Sequence, residues 1–111
     1  MIIDFEHREK KTLTGFKGGQ GRLTMGAFSD EHVRIMELSL EPGSSIGLHT
    51  HAGNSEIIYI LSGTGKVLYD GQYETLTPGS CHYCPEGHEH SLINDSQGPL
   101  RVFAVVPECG K

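Results

Sequence analysis

The sequence predicts an all-β protein with a single antiparallel β-barrel or sandwich, and three observations support this fold class. Short runs of alternating or β-branched residues recur along the 111-residue chain, and turn residues close each run. The 15 Gly and 5 Pro favour frequent turns over long helices. No segment has the 3.6-residue periodicity of an amphipathic helix. The length suits one domain, residues 1–111.

The first half of the chain contains four predicted strands. An edge strand over 23–28 follows a loop rich in glycine. In the next strand, 33–40, Arg34, Met36, Leu38 and Leu40 share one face. The turn sequence Glu41-Pro42-Gly43 ends it, because Pro presets the first central position and Gly supplies the positive φ of the next. The predicted strands 46–51 and 56–61 complete this half.

The second half repeats the same rhythm of short strands and turns. Asp70-Gly71 is a strong two-residue hairpin signal between two β-like runs. Pro78-Gly79 repeats the earlier Pro-Gly turn, and Pro85-Glu86-Gly87 marks another turn. The predicted strands are 66–69, 72–76, 80–84, 88–93 and 100–106.

Charge and hydropathy exclude several classes of partner. Nine Lys and Arg against 14 Asp and Glu give a net charge of −5. An acidic chain without a basic stripe lacks the electrostatic footprint that nucleic acids require. No apolar run is long enough to span a membrane. The residues near the N-terminus lack the apolar stretch that is typical of a signal peptide. We therefore expect a cytoplasmic protein without nucleic-acid or membrane partners.

Three cysteines, Cys81, Cys84 and Cys109, do not suggest a disulfide framework, which favours an even number. Cys81 and Cys84 form a C-x-x-C sequence of the kind found in redox and zinc pairs. An offset of three within a strand places the two side chains on opposite faces. We therefore expect neither a redox nor a zinc pair here.

Two histidines and a glutamate are placed to converge. His49 and His51 are two residues apart, so on a strand they project from the same face. The segment 52–55 has the composition of a tight turn or bulge, which can bring Glu56 back to that face. Two imidazoles and a carboxylate form a facial set of metal ligands with open positions.

A later strand offers further histidines. His88 and His90 share a face by the same period of two. If that face points inward, His90 supplies a third imidazole to the cluster. His88 then lies one strand period away, where it could act as an acid or base, since imidazole titrates near neutral pH.

The spacing of these residues resembles two signatures of the cupin superfamily. The first is Gly43-x5-His49-x-His51-x4-Glu56-x6-Gly63, and the second is Gly79-x5-Pro85-x-Gly87-x2-His90-x3-Asn94. They cover residues 43–63 and 79–94, and all ten signature positions are occupied. The resemblance implies a small single-domain, conserved-barrel cupin that binds metal. Its expected fold is a double-stranded β-helix of the jelly-roll type.

The resemblance also implies the metal ligands and the kind of ligand that binds. His49, His51, Glu56 and His90 fall on the family's four ligand positions. They are expected to hold one divalent transition metal ion (Mn, Fe, Ni, Co or Zn), because mixed N/O ligation suits all of these. The centre keeps a net charge of about +1, which attracts a small anionic or carbonyl-bearing ligand. His88 is the predicted catalytic residue.

Two functions stay open at this point. One is a small metal-dependent enzyme acting on a small carboxylate, carbonyl or sugar-acid substrate, as a decarboxylase, dioxygenase, isomerase or lyase. The other is a non-catalytic protein that binds or senses a small ligand. We also expect a homodimer, because a short barrel buries a modest fraction of its surface and small cupins commonly pair. Residues 1–22, which have no evident place in a minimal barrel, are the predicted dimerisation segment.

Overall fold

The computed structural model describes residues 1–109 and confirms the all-β fold class. Within that range the helical content is one 3-10 turn, Phe16–Gly18, and no helix is long and apolar enough to cross a membrane. The strands are β1 Lys11–Thr14, β2 Arg22–Ser29, β3 Val33–Leu40, β4 His49–Thr50, β5 Glu56–Ser62, β6 Gly65–Tyr69, β7 Gln72–Leu76, β8 Cys81–Cys84, β9 Glu89–Ile93 and β10 Leu100–Pro107.

The strands form two antiparallel sheets in a jelly-roll arrangement. One sheet has six strands in the order β1-β2-β3-β10-β5-β8, and the other has four in the order β4-β9-β6-β7. Among residues 1–109, no strand ladder joins the two sheets into a closed barrel. The chain passes from one sheet to the other through the turn between β4 and β5. This crossing places residues from both sheets beside one another.

Alternation along the strands builds the core between the sheets. In β3 the side chains of Met36, Leu38 and Leu40 are buried, as their period of two predicts. Ala104 of β10 lies opposite Met36 on one side and opposite Ile58 of β5 on the other. Strands β3, β5 and β10 therefore contribute their apolar faces to the same layer.

The predicted turns are present, and two of them need glycine. Gly43 and Gly79 have φ values of 78° and 91°, which L side chains rarely adopt. Asp70 and Gly71 form the hairpin between β6 and β7, with φ values of 47° and 85°. Positive φ at both central positions is what a two-residue hairpin requires.

The N-terminal segment has a place in the fold that its sequence does not reveal. Lys11–Thr14 pairs with β2, so the strand series begins there and not at residue 23. Leu13 and Phe16 pack against the core, and the ring of Phe5 contacts Phe103 edge-on at 5.9 Å. The prediction missed β1 because its four residues include one apolar side chain, which gives no alternation.

Candidate metal centre

The four side chains predicted as metal ligands meet at one point in the structure. His49 lies in β4, opposite His90 of β9 in the strand register. His51 follows β4, and Glu56 begins β5. The Nε2 atom of His90 is 3.0 Å from that of His51 and 3.2 Å from that of His49. The Oε1 atom of Glu56 is 3.0 Å from the Nε2 atoms of both His51 and His90.

Hydrogen bonds on the far side of the rings fix which nitrogen carries the proton. His49 Nδ1 donates to the Gly47 carbonyl at 2.7 Å, and His51 Nδ1 donates to the Asn54 Oδ1 atom at 2.6 Å. Both acceptors are carbonyl oxygens, so each Nδ1 must hold a proton. In the neutral rings the lone pair is then on Nε2, which points toward the cluster.

The third ring is fixed by another histidine. His90 Nδ1 lies 3.0 Å from the Nε2 atom of His82, which is buried behind the cluster. Burial lowers the pKa of His82 to about 4, and repulsion from His90 adds to this effect. In the tautomer of neutral His82 with an unprotonated Nε2, that atom accepts a hydrogen bond from His90 Nδ1–H. Three Nε2 lone pairs and one carboxylate oxygen then converge, an arrangement that a cation stabilises.

The spacing of the four ligand atoms fits a six-coordinate ion. With metal–ligand distances of about 2.0–2.2 Å, adjacent ligand atoms lie about 2.8–3.1 Å apart in an octahedron and about 3.3–3.6 Å apart in a tetrahedron. Four of the six separations between the ligand atoms are 3.0–3.2 Å, close to the octahedral values, and all six are within 4.8 Å. A six-coordinate ion with these four ligands would keep two positions for other molecules.

Electrostatics favour the charge states that a metal needs at two of the four residues. Burial raises the pKa of Glu56, but hydrogen bonds from the protonated forms of His51 and His90, whose Nε2 atoms then carry hydrogen, outweigh it and lower the pKa to about 2. Burial lowers the pKa of His49, which favours its neutral form. The hydrogen bond to Glu56 raises the pKa of His51, so a proton competes with a metal at that ring.

The cluster forms part of the wall of a cavity of about 430 Å³ between the two sheets. Most of the remaining wall is apolar, and it comprises Phe16, Met25, Met36, Leu38, Ile46, Ala52, Ile58, Leu92 and Val106. Two uncharged polar residues, Thr50 and Asn54, also line it. Beyond the cluster, the charged lining residues are Lys17 and Arg34, and both are cations. The cavity is therefore largely apolar, and two exposed cationic side chains contribute to its wall.

The structure does not bring His88 into this cavity. Its Nδ1 atom bonds to the Asp70 carboxylate at 2.5 Å, and its ring stacks on Tyr69. The side chain is 45% exposed. Strand β9 begins at Glu89, so His88 belongs to the preceding turn and does not share the alternation of His90.

A second group of potential ligands, His82, Cys84 and His90, lies behind the first. It is a poor metal site because it shares His90 with the main cluster. Burial raises the pKa of Cys84 to about 11, so the thiol keeps its proton, and its Sγ atom donates to the His88 carbonyl. Cys81 is exposed and Cys84 is buried, as the offset of three predicts.

Sequence reasoning assigned no such role to four residues that shape the site. Asn54 and His82 orient two of the rings, and neither lies in a motif position with that role. Arg34 was detectable in principle, because alternation places it on the face of Met36. Lys17 gave no signal, since it lies in a loop outside every predicted strand.

Comparison with known proteins decides the family. The profile of the family described as Cupin domain matches residues 36–106, well over half of the chain. The chain belongs to the cupin family. The matched range contains the four clustered residues, and the jelly-roll arrangement of this cupin agrees with the fold of its structural neighbours.

Two matches, a curated protein and a solved structure, both come from Thermotoga maritima and cover this cupin over nearly its full length. One is an oxalate-binding protein, 29% identical, with 96% of this chain and 93% of the relative aligned. The other is the crystal structure of a predicted oxalate decarboxylase, with a TM-score of 0.92 and 28% identity over 97% of this chain and 99% of that one. A mannose-1-phosphate guanylyltransferase from Klebsiella pneumoniae is 32% identical over 64% of this chain, which spans 15% of that larger protein.

Proposed function

We propose that this cupin binds a small carboxylate at one divalent transition metal ion held by His49, His51, Glu56 and His90. The observation that supports the proposal is the convergence of three Nε2 atoms and one carboxylate oxygen at separations of 3.0–3.2 Å. Mixed imidazole and carboxylate ligation suits Mn, Fe, Co, Ni and Zn alike. An ion bound there would act as a Lewis acid toward a carboxylate oxygen and would lower the pKa of bound water.

Charge supports an anionic ligand. A divalent ion and the Glu56 carboxylate leave about +1 at the centre, and Lys17 and Arg34 add positive charge to the same cavity. Glu56 is the only acidic residue among those that line it. The name of the Thermotoga maritima oxalate-binding relative agrees with a small carboxylate as the ligand of this chain.

The contents of the cavity favour binding over acid–base catalysis. Outside the proposed ligand set, its titratable residues are Lys17 and Arg34, and these side chains are ordinarily protonated at neutral pH. Neither can act as a general base. The predicted enzyme, and the catalytic role predicted for His88, therefore stay predictions that a turnover measurement decides.

A combined binding and turnover screen tests the proposal. The chain would be stripped with a chelator and reloaded separately with Mn, Co, Ni or Zn. Calorimetry would then measure the binding of oxalate, pyruvate and a uronate to each metal-loaded form, with a neutral sugar as control. We expect metal-dependent binding of the carboxylates, which His49→Ala abolishes. Carboxylate binding of equal strength to metal-free protein would overturn the proposal, while product formation would favour the enzyme.

We further propose that two copies of this cupin pair through the outer face of the six-stranded sheet. Phe5 covers Phe103 on that face, whereas the neighbouring side chains Ile57, Tyr59 and Tyr83 are 37%, 44% and 56% exposed. These exposed side chains are uncharged, and the neighbouring Glu37 is paired with Arg101, so two chains of net charge −5 can approach here, since a two-fold interface uses the same patch on both copies. Met1 and Ile2, both exposed, extend from the segment that carries Phe5. The cytoplasmic location and the absence of nucleic-acid and membrane partners stay predictions.

A further inference from the structure

We propose that Arg34 forms a second anion subsite, with Lys17 adding positive charge to the same cavity, and that the ligand of this cupin is an elongated dianion such as an aliphatic dicarboxylate. One carboxylate would lie at the His/Glu cluster, an apolar chain would contact the cavity wall, and the far carboxylate would bind Arg34. This inference rests on the proposed metal site and adds the class of molecule that the site accepts.

Arg34 presents a guanidinium without a strong hydrogen-bond acceptor. Its Nε atom lies 3.3 Å from the Met36 Sδ atom, and its Nη2 atom lies 3.5 Å from the Met25 Sδ atom. Thioether sulfur is a weak acceptor, and Arg34 is exposed, so its remaining donors are left to solvent or to a bound ligand. Within residues 1–109 no carboxylate forms an ion pair with Arg34.

The other arginines of the six-stranded sheet differ in this respect. Arg22 pairs with Glu41 at 3.2 Å, and Arg101 pairs with Glu37 at 3.5 Å. Arg34 instead lines the cavity, and two methionines that line the same cavity support its head group. A carboxylate that enters the cavity can accept two parallel hydrogen bonds from such a fork.

Lys17 reaches the same cavity from a strained loop. It adopts a φ of 53°, which favours glycine over any residue with a side chain. The loop is held firmly, because Gly47 N donates to the Phe16 carbonyl at 3.0 Å. A Cβ atom at Gly47 would lie 1.9 Å from the Lys17 carbonyl oxygen. Lysine therefore occupies a position where glycine would be unstrained, which points to a role for its ammonium group.

The size and lining of the cavity favour a long apolar molecule over oxalate or a sugar acid. A volume of 430 Å³ corresponds to about 14 water molecules at about 30 Å³ each, more than the six heavy atoms of oxalate fill. The wall offers few partners for hydroxyl groups. Its uncharged polar residues are Thr50 and Asn54, and the Asn54 oxygen already accepts from His51. Methylene groups suit the methionine surfaces, which adapt to irregular shapes.

Calorimetry with metal-loaded, full-length chain tests the inference. The ligands are oxalate, glutarate, adipate and suberate, with hexanoate as a monoanion of the same length as adipate. We expect adipate to bind at least about tenfold more tightly than hexanoate, the gain typical of a charge-assisted pair. Arg34→Gln should reduce that advantage to less than threefold and should weaken oxalate by a smaller factor than adipate. Arg101→Gln, the matched surface control, should change neither value.

Lys17→Gly separates the charge of Lys17 from its backbone conformation. Glycine fits the positive φ, so the thermal midpoint should stay equal or rise, while adipate affinity should fall severalfold. Unchanged adipate affinity in both Arg34→Gln and Lys17→Gly would overturn the subsite. Metal-dependent oxalate binding with no preference for longer dianions would also overturn the subsite, but the proposed function would then stand. Failure of every anion to bind the metal-loaded chain would instead overturn the proposed function.

Discussion

The Nε2 atoms of His51 and His90 lie 3.0 Å apart, although the residues are 39 positions apart in the sequence. The other ring nitrogen of His51 donates to a carbonyl oxygen, and that of His90 faces His82. Two neutral rings held in this way direct lone pairs at each other, which is unfavourable unless a cation or a proton lies between them. The Glu56 oxygen, 3.0 Å from both nitrogens, supplies the negative charge that draws a cation there.

Metal binding should stabilise this cupin. With free metal at about 100 times the Kd, binding to the folded state alone adds about 2.7 kcal/mol to the free energy of unfolding. For a chain of this size, that corresponds to a rise in Tm of about 10–20 °C. Calorimetric scans with and without a chelator measure the rise. His90→Gln should abolish it, and His32→Gln on the surface should keep it; a full rise in His90→Gln would contradict the ligand assignment.

Metal affinity should fall on acidification. The hydrogen bond to Glu56 raises the pKa of His51 above its ordinary value, so metal binding must displace a proton there as the pH drops toward and below that pKa. Each displaced proton lowers the affinity by up to about tenfold per pH unit. Titrations in two buffers of different ionisation enthalpy measure the protons released. Glu56→Gln removes the cause of the raised pKa of His51, so metal binding to this variant should release fewer protons at neutral pH. If the metal affinity of the unchanged chain does not vary between pH 6 and 8, this account is contradicted.

Local periodicity explains why most of the fold could be predicted, whereas the full set of four clustered residues was implied by the resemblance to the cupin signatures. The interval of two between His49 and His51, and the alternation of β3, each depend on a few adjacent residues. Residues outside regular strands were not predictable in this way. His88 lies one residue before β9 and bonds to Asp70 of a hairpin that is adjacent only in three dimensions. Lys17 reaches the cavity through contacts between two loops, which no local pattern records.

Gly47 should be essential to the cluster, although it ligates nothing. Its carbonyl accepts from His49 Nδ1, and an added Cβ would meet the Lys17 carbonyl oxygen at 1.9 Å. Gly47→Ala should lower the free energy of unfolding by about 2–3 kcal/mol, and should weaken metal binding about 10- to 100-fold through loss of the His49 orientation. Gly98→Ala is the control, because nothing lies within 4 Å of its Cβ position. Chemical denaturation and metal titration of both variants check this, and equal stabilities would contradict it.

The role of His88 can be separated from that of the cluster. Its ring is bound to Asp70 and half-exposed outside the cavity, so His88→Gln should leave metal and oxalate affinity within about twofold of the unchanged chain. Tyr73→Phe, on the neighbouring strand β7, is the control for a harmless change. Turnover of any substrate found by the screen should then be measured in His88→Gln. A loss of turnover at unchanged affinity would support the predicted catalytic role, whereas unchanged turnover would rule it out.

Association through the outer face of the six-stranded sheet predicts a selective response to charge. Tyr59 is 44% exposed and lies opposite Phe103 in the strand register, next to the side chain that Phe5 covers. Tyr59→Lys places one positive charge from each copy at a shared two-fold interface, where like charges repel and each must be desolvated. Light scattering at micromolar concentration should give a dimeric mass for the unchanged chain and a monomeric mass for Tyr59→Lys. Tyr73→Lys, at a residue that is 62% exposed on the other sheet, should stay dimeric. A monomeric mass for the unchanged chain would contradict the dimer, and a dimeric Tyr59→Lys would place its interface elsewhere.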